Sequence, residues 1–230
     1  MLFLFQEDYK KYNYNLDCFE IIPVEKNLRP HLKYFYVMKS YRDYAIITLD
    51  DDSIYKNETF KLLYDGYIEN PNIINGIRSH LITFENNGEI KKYENWESNQ
   101  KIKTEIDFNV FLTGVSGTIY PPDILNIDDS YIPIIEETIT CDDITLKYFE
   151  IMKGIPSKWI ENTNFLPPYI NESNSRAIAL YNMNIKYLNN LCIGKLNLDI
   201  NKTILDNLCV HYRNIQTGIT IYLFDIYILI

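Results

Sequence analysis

Apolar runs typical of β-strands alternate with segments of helical periodicity through the first 85 residues. The predicted strands are "LFLF" (2–5), "FEIIPV" (19–24) and "YAIITL" (44–49). Segments 28–41 and 58–69 predict helices, and Asn57 is the candidate N-cap of the second. Because strands that alternate with helices favour crossover connections, we expect an α/β domain with a mixed, mainly parallel sheet.

The pattern loosens from about residue 86, but several local signals remain clear. "ENNGEI" (85–90) predicts a hairpin turn. "TCDDITLKYFEIMKG" (140–154) predicts a helix with Thr140 as the N-cap and Gly154 just past its end. A further helix is expected near 199–208.

Composition narrows the classes of protein that this chain can belong to. Hydrophobic residues make up 47% of the 230 residues, enough for a substantial core. The net charge of −9 disfavours a nucleic-acid-binding protein, which needs a basic face. The four cysteines form no CxxC pair, so we expect a reduced, cytoplasmic protein without a disulfide framework.

The apolar segment "ITIYLFDIYILI" (219–230) has about half the length that a membrane span needs. We therefore expect no transmembrane helix and favour a buried strand or docking segment. A peripheral contact with the inner face of the membrane is the alternative.

Three consecutive aspartates, Asp50, Asp51 and Asp52, follow the strand "YAIITL". Hard divalent cations prefer carboxylate oxygens, and Mg²⁺ commonly combines one or two carboxylates with substrate phosphates. Ligands of α/β sheets bind beyond the carboxyl ends of strands. The stretch therefore predicts a metal or nucleotide site, and the alternative is a solvated acidic turn.

Asp142 and Asp143 open the helix predicted in 140–154. Carboxylates at a helix N-terminus complement its dipole, which is a purely structural role. The same position suits a catalytic base that takes a proton from a sugar hydroxyl. The residues leave the two roles equally open.

Other candidate residues carry weaker signals. Glycines in "TGVSG" allow a ligand to approach the backbone or form an ordinary tight turn. The remaining candidates are as readily solvated surface, packing or structural polar residues as diphosphate or sugar contacts. The full set is Gly114, Gly117, Lys33, Arg78, Trp96 and His80.

The order of four sequence blocks along the chain indicates a protein class more specifically than any single block does. "LKYFYVMKSYRDYAIITLDDDSIY", "NPNIINGIRSHLITF", "FLTGVSGTIYPPDIL" and "TCDDITLKYFEIMKGI" follow one another along the chain. The series resembles bacterial glycosyltransferases of the A-type nucleotide-diphospho-sugar fold, in particular capsular and surface-polysaccharide enzymes with an Asp-Asp-Asp motif. The resemblance implies a single Rossmann-like domain over roughly residues 2–190.

The resemblance also implies an activity and roles for the candidate residues. The activity is metal-dependent transfer of a sugar, with inversion, from a nucleotide-diphosphate donor to a glycan acceptor in polysaccharide synthesis. Mn²⁺ or Mg²⁺ would be held by Asp52 and Asp50, with Asp51, Lys33 and Arg78 on the donor. Gly114, Gly117, Trp96 and His80 would shape the acceptor side, and Asp143 or Asp142 would be the base.

The same resemblance divides the chain. It implies a donor half of about residues 1–85, an acceptor half of about 86–190 and an appendage of 191–230. Family members begin with a further strand and helix, so the resemblance implies that this chain is N-terminally truncated and binds its donor weakly.

Two other functions fit part of the pattern. "LDDDSI" resembles the first motif of haloacid-dehalogenase-like phosphatases, with Asp50 as nucleophile and Asp52 as acid/base. Against that hypothesis, a strand and a helix precede the motif. A catalytically inactive domain that binds glycans or a partner chain is the third hypothesis.

Overall fold

A computed structural model describes residues 2–12, 20–98, 106–160, 166–168 and 188–196, and these form a mixed α/β structure. The strands are β1 (Leu2–Phe5), β2 (Ile21–Val24), β3 (Ile46–Thr48), β4 (Ile74–Gly76), β5 (Ser79–Leu81), β6 (Glu97–Ser98), β7 (Ile106–Asp107), β8 (Val110–Leu112), β9 (Thr118–Tyr120) and β10 (Ser157–Trp159). The helices are α1 (Gln6–Tyr12), α2 (Phe35–Ser40), α3 (Asn57–Glu69), α4 (Ile132–Glu137), α5 (Asp142–Lys153) and α6 (Asn189–Lys195). Short 3₁₀ turns include Arg29–Lys33 and Gly114–Ser116.

The strands of the described residues form three sheets. The largest has the order β3-β9-β4-β10-β7, and the others have the orders β6-β5-β8 and β1-β2. Only the β1–β2 and β4–β10 pairs are parallel among the named pairs of the described strands. The prediction of a mainly parallel sheet is therefore wrong, although the prediction of a mixed α/β structure is confirmed.

The insertion of β9 explains the incorrect prediction of a mainly parallel sheet. Strands β3 and β4 run in the same direction and are joined by α3, as the alternating pattern predicts. However, β9 lies between them and pairs antiparallel with both. The chain passes from β8 to β9 through the tight turn at Gly114–Ser116. A local sequence pattern does not show that β9 will insert between β3 and β4.

The predictions for 58–69 and 140–154 are confirmed with shifts at the first residues, whereas 28–41 forms the 3₁₀ turn Arg29–Lys33 followed by the short helix α2. Helix α3 begins at Asn57, so Lys56 is the N-cap and Asn57 is not. Helix α5 begins at Asp142, and Cys141 takes the N-cap position predicted for Thr140. Neither N-cap makes a side-chain capping hydrogen bond. The prediction for Gly154 is confirmed, because it ends α5 in the left-handed conformation, at φ 67°.

The largest hydrophobic cluster joins the elements that carry the candidate site. Phe35 of α2, Leu112 of β8 and Phe149 of α5 are buried in it, together with Tyr34. Burying each such aromatic ring contributes roughly 1.5–3 kcal/mol. This core therefore fixes the turn that carries Lys33 relative to the start of α5.

Some predictions concern segments outside the described residues. The helix near 199–208 and the apolar segment 219–230 both lie there. Within the described residues, no helix has the length and apolar character needed to cross a membrane. Helix α6 spans the predicted boundary between residues 190 and 191, and its Asn190 accepts a hydrogen bond from the backbone of Tyr93.

Candidate functional site

Three chain segments meet at one edge of the five-stranded sheet. Thr48, the last residue of β3, pairs with Thr118, the first residue of β9. Gly76, the last residue of β4, pairs with the same Thr118. The aspartates after β3, the glycine turn before β9 and Arg78 after β4 therefore emerge at the same end of the sheet. Because β9 runs antiparallel to β3 and β4, the loop that precedes β9 lies at the same end of the sheet as the segments that follow β3 and β4.

Lys33 joins the two acidic segments, which lie far apart in the sequence. Its Nζ lies 2.8 Å from Asp50 Oδ1 and 2.5 Å from Asp142 Oδ2. The Lys33 side chain is 18% exposed and the Asp142 side chain 11%, so the second ion pair is largely shielded from water. Such shielding makes the attraction stronger than at a surface.

Asp143 reaches the same place from the second residue of α5. Its Oδ1 accepts a hydrogen bond from the Gly114 backbone N–H at 3.1 Å. A β-carbon on Gly114 would lie 3.3 Å from this oxygen and 3.3 Å from Asp50 Oδ1. Two carboxylates and the Lys33 ammonium therefore surround a backbone position that has no side chain. We call Lys33, Asp50, Asp142, Asp143 and Gly114 the acidic cluster.

The two carboxylates that open α5 differ in pKa because their surroundings differ. Burial acts to raise the pKa of Asp142, but the charge and hydrogen bond of Lys33, together with smaller favourable interactions, leave that pKa below its usual value. Burial, followed by the negative charge of Asp142, raises the pKa of Asp143 to about 7. Asp142 therefore stays ionised, and Asp143 exchanges its proton near neutral pH.

Lys33 remains charged despite its surroundings. Burial acts to lower its pKa, but the carboxylates of Asp142 and Asp50 raise it well above the usual value. The lysine is thus a permanent cation within the acidic cluster.

Tyr55 ties the segment after β3 to the glycine turn. Its hydroxyl accepts a hydrogen bond from the Asp50 backbone N–H at 2.9 Å and donates one to the Val115 carbonyl at 2.9 Å. Burial raises the pKa of Tyr55 to about 12, so it remains a donor at physiological pH. The bridge fixes the backbone of Asp50 relative to the neighbour of Gly114.

A buried histidine lies in the turn that carries Lys33. His31 Nε2 lies 3.1 Å from the Thr138 carbonyl oxygen, and Nδ1 lies 2.8 Å from the Tyr34 hydroxyl. Because a carbonyl only accepts, Nε2 carries the proton, and Nδ1 of the neutral ring accepts from Tyr34. Burial lowers the pKa of His31, which keeps it neutral. This network holds the turn that carries Lys33 in place without adding charge.

Asp51 and Asp52 directly follow Asp50 of the acidic cluster. Asp51 is exposed, and Asp52 is half-buried. Burial and the negative charge of Asp50 raise the pKa of Asp52, while Ser53 donates a hydrogen bond to its Oδ1 at 3.3 Å. A cation bound at Asp52 would relieve this repulsion.

The metal prediction agrees with only part of this geometry. Among the described residues, no group of three or more His, Cys, Asp or Glu side chains is arranged to hold a metal ion. Asp52 suits an ion that takes one carboxylate and completes its shell with phosphate and water oxygens. Asp50 already has a cationic partner in Lys33. The metal roles of both aspartates stay predictions.

Two predicted residues flank the acidic cluster. Arg78 donates from Nη1 to the Thr113 hydroxyl at 2.8 Å, which places it beside the residue before Gly114. Gly117 ends the turn with φ 95° and ψ 140°, a conformation that residues with a side chain rarely adopt. A β-carbon there would also lie 3.0 Å from Leu63 Cδ1. Gly117 therefore shapes the turn, and its predicted contact with substrate stays a prediction.

Trp96 and His80 both pack against Tyr93 and Phe111, two aromatic residues of a second hydrophobic cluster. Trp96 is 8% exposed, and its indole nitrogen donates to the Lys91 carbonyl at 2.8 Å. The ring packs edge-to-face against Phe111, as Tyr93 does. Burial lowers the pKa of His80 to about 4. These are packing contacts, and the predicted roles of both residues in sugar binding stay predictions.

Sequence reasoning missed several residues of the site. Tyr55 follows the aspartates closely, but nothing local shows that its hydroxyl spans to Val115. His31 and Tyr34 were read only as part of a helix.

Comparison with known proteins gives no match: no protein-family model, no curated protein and no solved structure is similar to this chain.

Proposed function

We propose that the chain is a metal-dependent glycosyltransferase of the A-type nucleotide-diphospho-sugar fold, transferring a sugar to a glycan acceptor. The proposal rests on the convergence of Asp50, Gly114 and Asp143. These residues belong to separate sequence blocks that lie far apart along the chain. The resemblance assigns these three blocks to one site, and their contacts support that assignment.

Asp143 is the catalytic base of the proposed reaction. With its raised pKa of about 7, the carboxyl group is about half ionised at pH ~7, and the ionised form accepts a proton more readily than an exposed aspartate does. Asp142 is less suitable, because its ion pair with Lys33 lowers its pKa. The Gly114 N–H holds the carboxylate of Asp143 in place.

The proposed step is a direct displacement. Asp143 takes the proton of the acceptor hydroxyl, whose oxygen forms a bond to the anomeric carbon of the donor. The bond from that carbon to the diphosphate oxygen breaks on the opposite side, and the nucleoside diphosphate leaves with the bonding electron pair. Attack from the opposite side inverts the configuration of the sugar.

The proposed reaction uses a divalent ion beside Asp50 of the acidic cluster. Asp52, with support from the exposed Asp51, would hold it together with donor phosphates. Such an ion neutralises charge on a leaving diphosphate.

The phosphatase hypothesis has less support. Elements β1, α1, β2 and α2 all precede β3, and within the described residues β3 pairs only with the antiparallel β9. The Asp50 carboxylate, which would be the phosphatase nucleophile, is bound by Lys33. The hypothesis of an inactive binding domain differs from the proposal only in turnover.

A thermal-shift and turnover panel tests the proposal. Wild type, Asp52→Ala and Asp143→Asn are measured with UDP-, GDP-, CDP- and dTDP-sugars, with and without Mn²⁺. We expect one donor to raise the Tm of wild type in the presence of Mn²⁺, because a ligand of the folded state stabilises it. Asp52→Ala should lose the shift, whereas Asp143→Asn should keep it and lose the release of nucleoside diphosphate.

Asp65→Ala is the matched control, since Asp65 is an exposed aspartate of α3 that pairs with Lys61. It should behave as wild type in both measurements. Hydrolysis of an aryl phosphate that depends on Asp50, without any response to nucleotide-sugars, would instead favour the phosphatase. Donor binding without turnover for any acceptor would favour the inactive domain.

A further inference from the structure

Helix α3 carries large apolar side chains on its outer face as well as on the face that it buries. The buried face packs on β4 and β9, and its buried residues are Thr59, Leu63 and Gly66. The outer face presents Phe60, Tyr64 and Ile68, which are 41%, 57% and 58% exposed. Because these three residues are spaced four apart, they lie in one row about 12 Å long. We call them the outer stripe.

The outer stripe departs from the usual pattern of a surface helix. Such a helix turns an apolar face to the core and polar side chains to water. Single exposed apolar residues are normal, but a contiguous row of large ones marks an interaction surface. The other exposed large apolar residues of the described chain lie on separate segments: Tyr44, Ile54, Met152, Leu166 and Leu191. The outer stripe is therefore the surface of the described residues that most resembles an interface.

A row of charges runs along one flank of the outer stripe. Its members are Lys61, Asp65 and Glu69, and each directly follows a residue of the stripe. All three therefore lie about 100° further around the helix axis than their stripe neighbours. Lys61 forms an ion pair with Asp65 in the same helix. The row is positive toward the start of α3 and negative toward its end.

A second copy of α3, lying antiparallel, complements both the outer stripe and the row of charges. A two-fold axis at Tyr64 places Phe60 of each copy beside Ile68 of the other copy. The same axis places Lys61 of one copy between Asp65 and Glu69 of the second copy, about 3 Å along the helix axis from each. In a parallel pair the two rows of charges would lie on opposite sides of the helices and would not meet.

We infer that the outer stripe is a homodimer interface, in which α3 packs antiparallel against α3 of a second copy about a two-fold axis at Tyr64. One helix pair buries less than the roughly 1,200–2,000 Å² of a standard stable interface. The dimer is therefore in equilibrium with the monomer, with a dissociation constant in the micromolar range. This inference does not depend on the proposed transferase activity.

The charges on α3 favour a second copy over a membrane surface as the occupant. Helices that lie on membranes carry lysine and arginine on their polar face. The row beside the outer stripe has two carboxylates and one ammonium, and the whole chain has a net charge of −9. An anionic lipid surface would repel such a protein.

Sedimentation velocity of the full chain over about 1–100 µM tests the interface. We expect wild type to pass from monomer to dimer in this range. Ile68→Glu should raise the dissociation constant at least about tenfold, because the dimer would bury an unpaired carboxylate. Phe60→Ser tests the other end of the outer stripe and should also weaken the dimer.

Met152→Glu is the matched control, since Met152 is a 53% exposed apolar residue of α5. It should dimerise as wild type does. A wild-type protein that stays monomeric throughout the range would overturn the inference. Equal weakening by Met152→Glu and Ile68→Glu would also overturn it, because the effect would then not be specific to α3.

The antiparallel arrangement is tested by reversing charges. Lys61→Glu should weaken the dimer about three- to tenfold, since the new carboxylate faces Asp65 and Glu69 of the second copy. The double variant Lys61→Glu/Asp65→Lys should regain most of the affinity, because opposite charges face each other again. An unchanged affinity for Lys61→Glu, or no recovery in the double variant, would contradict the antiparallel pairing.

Cross-linking tests the position of the two-fold axis. Residues on the axis lie beside their own copies, so Tyr64→Cys should form an intermolecular disulfide under mild oxidation. Met152→Cys, on α5, should not. A dimer of Tyr64→Cys that does not cross-link would contradict an axis at Tyr64.

The other possible occupants give different results. Vesicles of phosphatidylcholine and phosphatidylglycerol are added to wild type, and binding is followed by flotation. A monomer that floats with the vesicles, and loses this property in Ile68→Glu, would replace the dimer with a membrane contact. A monomer whose Phe60→Ser and Ile68→Glu variants both lose several degrees of Tm would show that another part of the chain covers the outer stripe, and would likewise overturn the inference.

Discussion

A β-carbon on Gly114 would lie 2.6 Å from Lys33 Nζ, closer than a β-carbon approaches a non-bonded atom. The end of a lysine usually moves aside at little cost. Here it is held by ion pairs to Asp50 and Asp142 and cannot move without breaking them. The contact explains why the turn before β9 carries glycine at this position.

Gly114→Ala should destabilise the protein and disturb the acidic cluster. Displacing Lys33 weakens two ion pairs, and overpacking of this kind costs roughly 1–3 kcal/mol. We expect a loss of that size in the free energy of unfolding, measured by urea denaturation, together with a loss of any transfer activity.

Gly194→Ala is the matched control for that substitution. A β-carbon there has no atom within 4 Å, and Gly194 lies inside α6. Since alanine is the better helix former by about 1 kcal/mol, this variant should be neutral or slightly more stable. Equal losses for the two variants would contradict the steric account of Gly114.

Asp143→Asn should stabilise the protein above neutral pH while abolishing catalysis. The raised pKa means that the folded state holds a proton between about 3.8 and 7 that the unfolded chain releases. That stability is lost as pH rises through about 7, because the ionised carboxylate is disfavoured in the folded state. At pH ~8, removing the charge should raise the unfolding free energy by roughly 1–3 kcal/mol.

The pH dependence of activity gives a separate measurement. A base with a pKa of about 7 is protonated at lower pH, so kcat/KM should fall as pH decreases through that value. Removal of the base should reduce turnover by roughly 10²–10⁴-fold. A turnover that does not change with pH between ~5 and ~8 would assign the base to another group.

Tyr55→Phe should cost about 1–2 kcal/mol of stability. The substitution leaves the Asp50 N–H and the Val115 carbonyl without their shared partner, and unpaired groups in a partly buried site are costly. Tyr44→Phe is the control, because Tyr44 is 65% exposed. Urea denaturation of both variants should show the loss only for Tyr55, and equal unfolding free energies would contradict the bridging role.

A buried triangle on α5 gives a prediction that is independent of function. Lys147 Nζ lies 2.9 Å from Glu150 Oε2 and 3.0 Å from Ser157 Oγ, and both charged side chains are 3% exposed or less. Lys147→Met alone leaves Glu150 as an uncompensated buried charge and should cost roughly 3–5 kcal/mol.

The double variant Lys147→Met/Glu150→Leu removes both charges. It should be less destabilised than Lys147→Met, because no unpaired charge remains in the core. Lys61→Ala at the exposed Lys61–Asp65 pair is the control and should change the unfolding free energy by less than about 1 kcal/mol. A double variant as unstable as the sum of its single variants would contradict this account.

Local signals predicted the elements that carry the site. The apolar run 44–49 predicted β3, and the start of α5 was misplaced by no more than its capping residue. Gly154 was predicted at the end of α5, because the left-handed conformation there favours glycine. Each of these features depends on residues close together in the sequence, which is why the pattern alone identified them.

The relations between distant segments were decided only by the tertiary structure. The sequence determined that carboxylates follow β3 and open α5, but left open whether Asp142 is structural or catalytic. The ion pair with Lys33 lowers the pKa of Asp142, whereas burial and the charge of Asp142 raise the pKa of Asp143. Such differences arise from the distances and burial of charges that the folded chain brings together, and no local spacing specifies them.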